Sequence, residues 1–178
     1  MVYPHEWLLQ SASVFWIFTL LLSESHSKQS QIFYMEAKDC GNKKPLGGAV
    51  VYSHSQESGD NYLHDISCQI TFQAKDDHWR LMLRVIELDI PDRTPNGYCN
   101  DALYVFDDST SYTVAMKDAG GIGGLCGSIL PPTLKSTGRY MTVVFRTGAE
   151  GPVGRGFKYI ITAFNEDYEK QGTCGSDF

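Results

Sequence analysis

The feature that most constrains this chain is how often it is forced to turn. Turn-forming clusters recur from residue 47 onward: Gly47-Gly48, Ser58-Gly59-Asp60, Asp76-Asp77, Pro95-Asn96-Gly97, Asp107-Asp108, Gly120 to Gly124, Pro131-Pro132 and Gly148 to Gly156. Between them lie short runs in which apolar residues alternate. Leu103 and Val105 alternate with Tyr104 and Phe106. Met141, Val143 and Phe145 share one face of a strand, as do Phe157, Tyr159, Ile161 and Ala163. In the stretch 80–90, Leu81, Leu83 and Val85 lie in one phase, and Ile86, Leu88 and Ile90 in the other. Such a phase flip predicts a bulge or bend in a long strand. No eleven-residue window has a clear 3.6-residue period. Roughly eight to ten short strands over about 125 residues imply an all-β fold, an antiparallel sandwich or barrel.

The cysteines add a second constraint. All five, Cys40, Cys68, Cys99, Cys126 and Cys174, lie beyond residue 27, at successive gaps of 28, 31, 27 and 48 residues. None of these gaps has zinc-ligand spacing. In an oxidising compartment they should be bridged. Four cysteines admit three connectivities, and spacing alone does not select one. A bridge closing about 28 residues would contribute about 3–4 kcal/mol in the chain-entropy model.

The first 27 residues account for that compartment. Val14 to Leu22 reads VFWIFTLLL, a run that as a helix rises only about 14 Å against a hydrocarbon core of roughly 30 Å. It fits the apolar region of a signal peptide, with Ser23/Ser25 or Ser25/Ser27 suited to cleavage. The segment ahead of it carries Glu6 and no Lys or Arg, so an uncleaved signal anchor from Trp7 to Leu22 is the alternative. The layout read from this is a signal peptide at 1–27, an N-terminal segment at 28–39, a domain at 40–165 and a tail at 166–178.

Charge then excludes whole classes of partner. The chain carries a formal net charge of -6. The signal segment holds two acids and no bases, so its removal leaves -4. That balance argues against nucleic-acid binding, which needs a basic face to neutralise phosphates, and against a polybasic membrane patch. Catalytic signatures are missing as well. There is no G-x-S-x-G elbow, H-E-x-x-H helix or Walker loop. His54, His64 and His78 are scattered over loops and strand edges, and the glycines at 120–124 lack the Lys-Ser/Thr of a phosphate loop. The reading is a binding protein and not an enzyme. No Asn-x-Ser/Thr acceptor occurs, so N-glycosylation is not expected.

The order of these motifs resembles a CUB domain, a two-sheet jelly-roll module of extracellular proteins. Cys40-Gly41 followed by Gly48 to Ser53 is similar to that family's opening. Asn61-Tyr62 and Cys68 to Phe72 follow its next pattern, with Ile70 where tryptophan is usual. Cys99 with Asp101 to Asp107 resembles "C-x-Y-D-x-L-x-V-x-D", one residue short after the cysteine. Leu125-Cys126-Gly127, Pro131-Pro132, Ser136 to Gly138, Val143 to Phe145 and Gly156-Phe157 follow in order. The likeness covers roughly residues 40–164. It implies bridges Cys40–Cys68 and Cys99–Cys126 and leaves Cys174 unpaired. Cys174 to Phe178 in turn resembles the start of an LDL-receptor class A repeat, which would give Cys174 its partner further on.

The same resemblance implies a calcium site at one end, built from Glu87 or Asp89, from Asp101, and from an aspartate in an "F-x-S-D" loop. Here that loop reads Phe145-Arg146-Thr147-Gly148, so the last carboxylate is replaced by Gly148, and Glu150 is off register. Calcium requires six to eight oxygens, so the expectation is weak binding or none, and no other cofactor. The resemblance implies an extracellular protein ligand or receptor as partner, with membrane contact only through a span outside this chain. It suggests the N-terminal part of a cell-surface co-receptor, scaffold or receptor-clustering protein. The alternatives are a secreted single-domain adhesion or carbohydrate-binding protein, or a regulatory module of a secreted protease. Tyr34, Tyr52, Tyr62, Tyr98, Tyr104, Tyr112 and Trp79 are the aromatics available as anchors.

Overall fold

The computed structural model describes residues 30–165 and Asp167, apart from residues 56, 58 and 92. The signal segment, most of the tail and Cys174 lie outside the described residues. Nine strands form: β1 Gln31–Tyr34, β2 Lys43–Pro45, β3 Gly48–Tyr52, β4 Ser67–Gln73, β5 Trp79–Asp89, β6 Ala102–Phe106, β7 Leu134–Lys135, β8 Tyr140–Arg146 and β9 Gly156–Asn165. They make two sheets, one ordered β1-β3-β9-β5-β7 and the other β2-β4-β8-β6. The result is a two-sheet sandwich, one of the two forms that the alternation allowed and the one that the resemblance implied.

Alternation decides which side of each strand enters the space between the sheets. Leu81, Leu83 and Val85 of β5, Met141, Val143 and Phe145 of β8, and Phe157, Tyr159 and Ile161 of β9 are all buried there. Burying one such side chain stabilises by about 1.5–3 kcal/mol before conformational entropy is charged against it. Aromatic rings interlock across this layer. Phe145 meets Tyr62 edge-on at 5.2 Å and Phe157 edge-on at 4.9 Å.

The phase flip in β5 is a bulge. The register against β9 slips between Val85 and Glu87, so Leu88 and Ile90 return to the core although they sit out of step with Val85. Without that extra residue, the second half of β5 would turn its apolar side to water.

One part of the expected architecture differs. The sandwich is antiparallel through its middle, but β1 pairs with β3 in parallel and so does β2 with β4. Each parallel pair brings in an outer strand, and its hydrogen bonds are closed by chain that travels to the other sheet in between. Local alternation carries no information on strand direction, so it could not have shown this. The segment ahead of Cys40 contributes β1, whose Phe33 turns inward against Phe72 with ring centres 6.1 Å apart.

Two bridges fasten the ends. Cys40 joins Cys68 across Cα atoms 5.1 Å apart, tying the turn after β1 to β4. Cys99 joins Cys126 at 6.0 Å, tying the approach to β6 to the segment that bridges Leu103. The chain ahead of Cys126 makes two 3-10 turns, Lys117–Ala119 and Gly121–Gly123, the second within the glycine run. Gly120 between them has φ 84° and lies against the Gly124 carbonyl, where a Cβ has no room.

Candidate functional site

Three loops meet beside the Cys99–Cys126 bridge: the approach to β4, the approach to β6 and the exit of β8. Asp101, one residue before β6, is buried to 1% exposure. A buried carboxylate must have its lone pairs satisfied. Tyr62 donates its hydroxyl to Oδ2 at 2.7 Å. Oδ1 accepts the Gly148 N–H at 2.8 Å and the Asn100 side-chain amide at 3.3 Å. Burial, and then the Asp101 carboxylate beside it, push the Tyr62 phenol well above its ordinary range.

The neighbouring residues lock the same junction. Thr147 Oγ1 accepts the Ile66 N–H at 2.8 Å and donates to the Leu63 carbonyl at 3.0 Å. The Asp65 N–H reaches the Gly148 carbonyl at 3.1 Å. Asp65 itself has φ 57°, the one positive value at a non-glycine residue among those described, and aspartate tolerates it better than most residues do. Leu63 and His64 sit on this hydrogen-bonded turn, with Leu63 58% exposed.

The carboxylates named as possible calcium ligands, Glu87 or Asp89 with Asp101, each have partners of their own. Asp89 Oδ2 receives both the backbone N–H and the Nε of Arg155, at 3.2 and 3.0 Å. The guanidinium of Arg155 holds this carboxyl below its usual range. Glu87 lies on the outer face of the sheet, 3.6 Å from Lys158 Nζ. No group of three His, Cys, Asp or Glu side chains able to hold a metal ion occurs among the described residues. Asn100 and Thr147 were not singled out by sequence reasoning. The only signal for them was the missing residue between Cys99 and Asp101, and the threonine in the "F-x-S-D" register.

A second candidate region is the outer face of the five-stranded sheet. Pairing aligns Ile32 with Val50, Val50 with Ile160, and Tyr34 with Tyr52. Ile32 is 55% and Ile160 38% exposed, while Tyr34, Val50, Tyr52 and Met82 are half-buried. Tyr34 and Tyr52 stack at 5.7 Å, and Lys158 lies over the Tyr52 ring at 5.4 Å. The solvent side of such a sheet is ordinarily polar. Here Ile32, Val50 and Ile160 form an apolar row across β1, β3 and β9 that ends at Arg84 of β5. An open groove runs from Ile32 and Tyr52 past Ile86 and Arg155 to Leu63 and Leu130. Of the aromatics considered as anchors, Tyr34 and Tyr52 face this groove. Tyr62 is core, and Tyr98 and Tyr112 lie exposed on loops elsewhere.

Residues 40–160 match the CUB domain family, and the chain belongs to that family of extracellular protein-interaction modules. Cubilin of Sus scrofa is 32% identical over 139 residues, covering 76% of this chain and 3% of that protein. Cubilin of Canis lupus familiaris is 30% identical over 146 residues, covering 80% and 4%. The chain thus spans only a few per cent of the length of these relatives.

Solved structures share the fold at lower identity. A CUB1-EGF-CUB2 fragment of human MASP-1/3 superposes with a TM-score of 0.55 at 17% identity, over 72% of this chain and 43% of that one. The full extracellular region of zebrafish Gpr126/Adgrg6 gives 0.53 at 18% identity, over 72% and 15%. The MASP-1 CUB2 domain, solved bound to Ca2+, gives 0.50 at 18%, over 69% and 98%. No helix among the described residues is long and apolar enough to cross a membrane.

Proposed function

We propose that this chain is the recognition domain of an exported or cell-surface protein, acting without catalysis by binding an extracellular protein partner, as the N-terminal part of a co-receptor or clustering scaffold. The observation that carries this reading is the outer face of the five-stranded sheet, where Ile32 and Ile160 stand in water beside stacked Tyr34 and Tyr52. Contiguous apolar surface rimmed by charge is the usual mark of a protein-binding patch. Tyrosines held by stacking supply contact area at low entropic cost.

The test uses the secreted chain, displayed as a multimer, against an array of extracellular ectodomains and a glycan array. The expected result is binding to one or a few ectodomains that Ile160→Asp abolishes while lowering the melting temperature by no more than about 4 °C. Binding to glycans alone would overturn the reading in favour of a carbohydrate-binding secreted protein. Ectodomain binding that survives Ile160→Asp would move recognition away from this face.

A further inference from the structure

We infer that the Asn100 side-chain amide stands where a carboxylate-lined CUB end would hold its cation, so that this domain locks its loop junction with its own hydrogen bonds and excludes calcium. The residues present do not fit a calcium ion. A calcium site is a shell of oxygens with lone pairs turned inward. Around Asp101 Oδ1 the neighbours are instead two N–H donors, the Gly148 backbone at 2.8 Å and Asn100 Nδ2 at 3.3 Å. Donors present the positive end of their dipoles to the carboxylate, which is the role a cation would have, and they repel one.

The orientation of the amide follows from its partners. Asn100 Nδ2 also reaches the Glu150 carbonyl at 3.4 Å. An ionised carboxylate and a carbonyl can only accept, so the NH2 and not the oxygen must face both. One side chain thereby ties the approach to β6 to the loop after β8, a connection a shared metal would otherwise make. Asp101 Oδ2 is occupied by Tyr62, and the other candidate carboxylates are paired with Arg155 and Lys158.

Gly148 completes the exclusion. A Cβ at this position would lie 2.6 Å from Asn100 Nδ2 and 3.2 Å from its Cγ. A side chain at this position would therefore have to push the Asn100 amide aside, and glycine leaves the amide in place. The sequence change that brings this about is the short Cys99-Asn100-Asp101 spacing, which places asparagine directly ahead of the aspartate where the family pattern has tyrosine.

The experiment compares the secreted chain with Gly148→Asp, with the double variant Asn100→Gly/Gly148→Asp, and with Asn100→Ala. Each is melted in calcium chloride and in EDTA and titrated with terbium, whose luminescence reports ion capture next to aromatic rings. A ligand that binds only the folded state raises the melting temperature, so the wild type should melt within about 1 °C in about 2 mM calcium and in EDTA. Gly148→Asp alone should remain calcium-indifferent. The double variant should bind terbium and melt at least about 3 °C higher with calcium. Asn100→Ala should melt lower than wild type in EDTA. A calcium-dependent rise in the wild type that Asp101→Ala abolishes would overturn the inference. So would equal gains in the single and double variants, or a folded double variant that gains nothing.

Discussion

The two outer faces of the sandwich were given opposite treatments. Over the four-stranded sheet, the segment 107–119 folds back as a cover. Thr142 donates to the Asp108 carbonyl at 2.8 Å, Thr71 to the Ser109 carbonyl at 3.4 Å, and Ser111 to Gln69 at 2.7 Å. Beneath that cover Phe106, Ala115 and Val144 form a small second core. Over the five-stranded sheet no described segment does the same, and Ile32 and Ile160 stay in contact with water. One face carries polar side chains that hold its lid, whereas on the other the apolar row of Ile32, Val50 and Ile160 has no described segment above it. A chain this short can cover a face with its own loop, and where it does, the face is furnished to hold that loop.

The largest test of that contrast sets one substitution on each face. Phe106→Ala empties the second core and should cost about 3 kcal/mol, read as a lower denaturant midpoint with unchanged slope. Ile160→Asp removes an exposed side chain from mid-strand, and its cost should stay within about 1 kcal/mol while partner binding is lost. If Ile160→Asp proved as destabilising as Phe106→Ala, the open face would be structural and the contrast would fail.

A second test concerns the locked loop end, the other place where polar groups hold a surface loop. Tyr62→Phe leaves the buried Asp101 oxygen short of a donor and should cost about 1–3 kcal/mol. The same contact sets an alkaline limit. The folded-state pKa of Tyr62 is raised above the ordinary 10.0, first by burial and then by Asp101. Burial alone raises Tyr159 in the same sense. With the folded value above the unfolded one, the neutral tyrosines stabilise fully below pH 10, and that contribution falls as pH rises beyond it. Unfolding midpoints followed from about pH 8 to 11 should decline above about 10. Tyr62→Phe should flatten that decline, and an unchanged pH profile would show that Tyr62 does not titrate as described.

What could be read in the sequence, and what could not, divides along a physical line. Period-two burial is written residue by residue, so the core faces of β8 and β9 and the bulge at Ile86 were legible. The family resemblance supplied the two-sheet architecture and the implied pairing of cysteines, which spacing had left among three choices. Parallel pairing of β1 and β2 was not legible, because a strand's direction depends on the path of the chain between strands. At the loop end, Gly148 was visible as a missing carboxylate. What fills the gap was not, since Asn100 reaches Glu150 across 50 residues and no local pattern marks a side chain whose partners come from another loop. The open face was hidden for a related reason. Ile32, Val50 and Ile160 read separately as ordinary strand residues, and only the pairing of β1, β3 and β9 joins them into one patch.

The smallest effect lies where the two regions meet, at Asp89 and Arg155 on the groove between the loop end and the open face. Asp89 is held below its usual range, chiefly by the Arg155 side chain and then by its backbone N–H. A folded-state pKa below the unfolded one means a contribution present above the unfolded value, about 3.9, and lost as pH falls through the folded one. The side chains are 80% and 47% exposed, respectively for Arg155 and Asp89, so water and salt screen the pair and little stability depends on it. The informative measurement is therefore an NMR titration of the Asp89 carboxyl. Arg155→Ala should move its midpoint upward toward the ordinary aspartate value, and about 1 M salt should move it the same way by less, because the backbone N–H of residue 155 still donates. Thermal stability near neutral pH should hardly change in that variant. If it fell as far as in Tyr62→Phe, Arg155 would belong to the locked end. If partner binding fell instead, the recognition surface would extend from Ile160 along the groove to this ion pair.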